Sequence, residues 1–140
     1  MVVVQVLRDR DATAQLGDPL LRSLILQRID ALAEECPGVA LEQLVRFVVV
    51  EPGDRPEALA GQLGFHPLCN RWDGTRFGQP GFVPSWELAE EHGAWYELVF
   101  VLGDDGFGLE VFVPKAPGVD PELLALCAAY AVPAAEEGPT

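Results

Sequence analysis

Positive charge is what this chain has least of. Lys115 is its only lysine, and nine basic residues in all stand against 22 acidic ones, for a formal charge of -13. No cluster of Lys or Arg exists, so nothing would neutralise a phosphate backbone or an anionic lipid surface. Direct nucleic-acid binding and membrane association are therefore not expected. The deficit is uneven, because residues 71–140 hold twelve acids and three bases. No apolar run approaches the length that crosses a bilayer, and the opening MVVVQVL lacks a basic lead and is too short for a signal peptide. Cysteine is scarce too. Cys36, Cys69 and Cys127 are odd in number and widely spaced, with no CxxC, which argues against a disulfide framework or a zinc ribbon. Free thiols among apolar neighbours fit a reducing, cytoplasmic setting.

Apolar residues are plentiful. They make up 49% of 140 residues, and the mean hydropathy of +0.18 places the chain among folding rather than disordered sequences. The length suits one domain, expected over residues 1–132, with residues 133–140 a disordered acidic tail.

Residues 2–7 are β-branched enough for a strand. Asp18-Pro19 opens a helix, with Asp18 positioned to accept from first-turn amides and Pro19 where a missing N–H costs nothing. Leu21, Ile25, Ile29 and Leu32 then share one face, and Cys36-Pro37-Gly38 ends the helix. Residues 45–50, VRFVVV, read as a central strand, and a short helix follows from Pro56 through Leu63. Residues 65–84 are rich in Gly and Pro without periodicity, a long loop that its aromatics would pack as an Ω-like cover. Ser85 is expected to cap a helix carrying Glu87, Glu90 and Glu91 and ending at His92-Gly93. Residues 94–102 and 109–113 form an antiparallel hairpin around a Gly- and Asp-rich connection. Asp120-Pro121 repeats the cap-plus-proline device for a last helix. The fold expected is α+β: a small, largely antiparallel three- or four-stranded sheet with helices packed on one face.

The reactive candidates are His66, Cys69 and Asp73 in HPLCNRWDG. A histidine that activates a cysteine needs the two within hydrogen-bond reach and a third group to orient the ring. The spacing permits that arrangement without requiring it. Zinc ligands arrive in close pairs, and no second pair joins His66 and Cys69, so neither a metal nor a cofactor is expected. Asp104 and Asp105 read as turn acids. Glu97 and Glu110 are the acids inside otherwise apolar strands. On one sheet face they would form a carboxylate pair of raised pKa; the simpler expectation is that they mark the solvent side, with Arg46 as a salt-bridge partner.

Trp72, Phe77, Phe82 and Trp86 crowd the long loop beside Arg71 and Arg76. Trp and Arg supply most interface hot spots, so Arg71, Trp72, Arg76, Phe77 and Trp86 are the expected partner-binding set. With no nucleophile–base constellation, the chain reads as a non-enzymatic acidic interaction protein. An adaptor, inhibitor or accessory subunit would use this surface to bind a basic or mixed-charge protein. Two alternatives stand beside that reading: a small-molecule-binding domain or enzyme built on His66, Cys69 and Asp73, and an acidic inhibitor that mimics DNA. The half-apolar face of the hairpin would meet the long loop or a second copy in a homodimer.

Overall fold

A computed structural model describes residues 5–7, 16–40, 43–63, 66–70, 72–101 and 108–133. The elements run β1 (Gln5–Leu7), α1 (Pro19–Glu35), β2 (Val45–Val49), α2 (Pro56–Leu63), β3 (Leu88–His92), β4 (Trp95–Val101), β5 (Gly108–Pro114), α3 (Pro121–Tyr130) and β6 (Val132–Pro133). Both Asp-Pro devices work as their chemistry dictates. Asp18 Oδ1 accepts from the Leu21 amide at 3.0 Å, and Asp120 Oδ1 accepts from the amides of Glu122 and Leu123.

The strands form one six-stranded sheet in the order β1-β2-β5-β4-β3-β6, the last strand only two residues long. Pairs β2–β5 and β3–β6 are parallel; the others are antiparallel. The sheet is therefore mixed, and the expected three- or four-stranded antiparallel sheet is corrected. A parallel neighbour needs a long connection but not a helical crossover of its own. Here β4 runs up the sheet and the hairpin returns β5 alongside β2 in the same sense.

Residues 88–92 form a strand, where a helix from Ser85 was expected. Glu and Ala favour helix intrinsically, but the segment pairs with β4 along its whole length, from Leu88 opposite Val99 to His92 opposite Trp95. Tertiary pairing outweighs local preference. The two-residue link Gly93-Ala94 supplies the reversal. Gly93 has φ +57° and no non-glycine residue has positive φ among the described residues, the pattern of a type II′ hairpin turn.

Helices cover both faces of the sheet, a second correction. On one face Leu21, Ile25 and Ile29 of α1 pack on Val45, Phe47, Val49, Trp95 and Phe112. On the other, Leu59 of α2, Leu68 of the long loop, and Leu123, Leu126 and Cys127 of α3 pack on Val48, Leu98, Phe100, Leu109 and Val111. Central strands apolar on both faces require this double cover. The half-apolar hairpin face thus lies under α1 of the same chain. Among the described residues no helix is long and apolar enough to cross a membrane.

Candidate functional site

Strand alternation and hairpin register decide which side chains meet beneath α1. In β3, Leu88, Glu90 and His92 point the same way. Glu90 lies directly opposite Glu97 of β4. On β5, Glu110 lies opposite Val99 and Phe112 opposite Glu97, so Glu97 and Glu110 are diagonal neighbours on that face. From above, the helical spacing of α1 brings Leu24, Gln27 and Arg28 over the same spot. These residues enclose a cavity of about 350 Å³ lined by Leu24, Gln27, Arg28, Leu88, Glu90, His92, Glu97 and Val99.

Ionisable groups line the cavity, and Glu110 lies behind it, diagonal to Glu97. Glu97 is 5% exposed and Glu110 1%. His92 Nε2 stands 2.8 Å from Glu97 Oε1 and 3.4 Å from Glu90 Oε1. Arg28 Nε donates to Glu110 Oε2 at 2.5 Å. Burying a carboxylate disfavours its charge, whereas a nearby guanidinium favours it. For Glu110 the first effect is larger. Desolvation raises its pKa to about 8 against the pull of Arg28, and its hydrogen bond to Glu97 adds to the rise. Glu97 is also raised, again chiefly by desolvation, and the same hydrogen bond works against that shift. Glu110 Oε1 meets no donor among the described residues. A proton kept on that carboxyl group and donated to Glu97 supplies the missing bond, leaving Oε2 to accept from Arg28. Glu110 therefore holds its proton to higher pH than an ordinary glutamate, and Glu97 is shifted the same way.

The residues singled out from sequence lie elsewhere. His66 Nδ1 accepts from the Leu68 amide at 3.2 Å, and its Nε2 faces Glu57 at 3.4 Å. Cys69 Sγ lies 3.9 Å from an Arg76 nitrogen. Asp73 accepts from the Thr75 amide at 2.9 Å, which holds its carboxyl below the usual carboxylate range. Each of the three thus turns to its own neighbour. Trp72 is 64% exposed, while Phe77, Phe82 and Trp86 pack their rings around Tyr130 and against the core. Arg76 pairs with Glu122 at 2.6 Å. Arg71, Asp104 and Asp105 lie outside the described residues, as do residues 134–140 of the expected tail. Cys127 is buried and its thiol is pushed up to about 12, so it stays protonated.

Glu97 and Glu110 were visible in the sequence as a conditional pair, and the structure turns them inward rather than to solvent. Glu90, His92 and Arg28 were not grouped with them. The signal was present. Leu88-x-Glu90-x-His92 and Trp95-x-Glu97-x-Val99 are alternating runs placed symmetrically about Gly93-Ala94. No family model, curated protein or solved structure matches the chain, so any functional reading of this cavity rests on its own geometry.

Proposed function

We propose that the chain is a ligand-binding domain whose working site is the cavity between α1 and the β3–β4 hairpin, and that it takes a small cationic ligand there. The observation that carries this reading is the convergence of Glu90, His92 and Glu97 on one wall of a cavity, their ligating atoms all within 4.8 Å of one another. Burying ionisable groups is costly unless they are paired, and a fold that needed only a core would place Leu or Val there. Leu24, Leu88 and Val99 give the cavity an apolar rim, which suits a ligand with a cationic head. The role assigned to the cavity is binding, carried by Glu90, His92 and Glu97 as ligating groups.

Backbone amide NMR shifts, followed while small cations are added, test the reading. Alkylammonium and divalent metal ions should move Leu88–His92 and Leu24–Arg28 first. Shifts confined to residues 66–86, or none with any cation, would refute it.

A second reading, the protein-partner surface at the long loop, draws on one specific observation: the Trp72 indole is 64% exposed. Such a surface predicts that Trp72→Ala abolishes capture of the partner without altering cation binding in the cavity. A DNA-mimicking role has less support, since Glu90, Glu97 and Glu110 face inward and cannot copy a phosphate row.

A further inference from the structure

We infer that Glu90, His92 and Glu97 form a binding site for a first-row divalent transition-metal ion of the Zn²⁺ type, a choice of ligand that rests on the cavity reading above. Two carboxylate oxygens and one imidazole nitrogen are borderline-hard donors. They suit Zn²⁺, Co²⁺, Fe²⁺ and Mn²⁺ better than the all-oxygen preference of Ca²⁺ or the thiolate preference of Cu⁺.

The two distances to His92 are close to what a metal requires, and all three ligating groups lie within 4.8 Å of one another. Tetrahedral Zn²⁺ with bonds near 2.0–2.1 Å holds adjacent ligand atoms about 3.3 Å apart. His92 Nε2 to Glu90 Oε1 is already 3.4 Å. The 2.8 Å contact of His92 Nε2 with Glu97 Oε1 would have to open by roughly half an ångström. All three side chains come from one two-strand ribbon joined by the tight Gly93-Ala94 link, so the wall is built from adjacent backbone rather than from distant loops.

The balance of donors and acceptors in the same cluster agrees with a bound cation. His92 Nε2 can carry one proton, yet two carboxylate oxygens face it. These two oxygens therefore outnumber the one proton His92 Nε2 can give them, and a metal ion at their centre would bind Glu90 and Glu97 at once. Glu110, held by Arg28, stands behind Glu97 as an outer-shell positioning residue of the kind that fixes the orientation of a ligating carboxylate. Three protein ligands leave a fourth position open towards the cavity, the arrangement of a metal site that also takes an exogenous ligand.

The test is calorimetric titration of the metal-stripped chain with Zn²⁺ and Mn²⁺, alongside the absorption spectrum with Co²⁺. All three are run in a Cys36→Ser/Cys69→Ser background, so that surface thiols cannot ligate. One equivalent of Zn²⁺ should bind, more tightly than Mn²⁺, and Co²⁺ should show d–d bands without thiolate charge transfer. Glu90→Gln and His92→Asn, checked for folding by circular dichroism, should each weaken Zn²⁺ binding by roughly tenfold or more. Zinc bound equally well by both variants, or not bound at all, overturns the metal assignment. If an alkylammonium ion still shifts the cavity amides in that case, the ligand-binding reading survives without the metal; if it does not, both fall together.

Discussion

Beneath α2 and α3, the sheet presents Val48, Leu98, Phe100, Leu109, Val111 and Val113 to Leu59, Leu123 and Leu126, with Tyr96 and the protonated Cys127 thiol the only ionisable side chains in that buried cluster. Beneath α1, two buried glutamates, a half-buried histidine and a guanidinium occupy positions on the same strands. Apolar packing accounts for most of the first face. It does not explain the second, because apolar residues of similar volume would stabilise the domain at least as well as buried ion pairs. The contrast is that both faces carry an apolar core, and only the α1 face also buries a cluster of paired carboxylates, a histidine and a guanidinium.

Substitutions should separate the two faces. The largest effect belongs to the apolar side. Phe100→Ala removes a fully buried ring and should cost about 3–5 kcal/mol of unfolding free energy, measured in urea, while leaving cation affinity within about twofold in whatever fraction stays folded.

The next effect is on pH dependence. Glu110 has a folded-state pKa raised from 4.5 to about 8, so between those values the folded chain holds a proton that the unfolded chain has lost. Stability is then fully present below pH 4.5, falls as pH rises through about 8, and levels off beyond. The slope contributed is at most about 1.4 kcal/mol per pH unit. Glu97 is shifted in the same direction. Glu110→Gln should flatten the slope seen in urea melts across that range; an unchanged slope would show that Glu110 is ionised in the fold.

Arg28→Ala comes third. Breaking a buried pair is ordinarily severe, but the Arg28 side chain is 37% exposed and Glu110 can keep its proton. The expected cost is about 1–2 kcal/mol at neutral pH, and the loss should be larger at pH values where Glu110 is ionised. The smallest effect is at the loop. Trp72→Ala should change stability by no more than about 0.5 kcal/mol, and a larger loss would mean that the indole is part of the core.

Several elements, though not the sheet that joins them, can be read from the chain alone. Asp18-Pro19 and Asp120-Pro121 announce two helices, and the pairing of residues 95–101 with 108–114 follows from alternation around glycines. Of the long loop's aromatics, Phe77 and Phe82 pack on the core while Trp72 is exposed. Strand β3 was the failure, and it concealed the site. Read as a helix, residues 85–92 scatter Glu90 and His92 to different directions; as a strand they share a face. Glutamate and alanine bias the local preference one way, and Gly93 serves as well for a helix end as for a hairpin turn. Only pairing with β4 decides between them. The Arg28–Glu110 contact joins residues 82 positions apart, a relation that no local pattern encodes. Arg46, on β2, was the nearer guess because it lies on a strand, but the guanidinium that reaches Glu110 comes from the roof.

An anomalous difference map from crystals grown with Co²⁺ tests the central claim most directly. The account predicts one peak bridging Glu90, His92 and Glu97 beneath α1, at a bond length of about 2.0–2.2 Å from each ligating atom. A peak at His66 and Cys69, or no peak in crystals where the cavity is open to solvent, would contradict it.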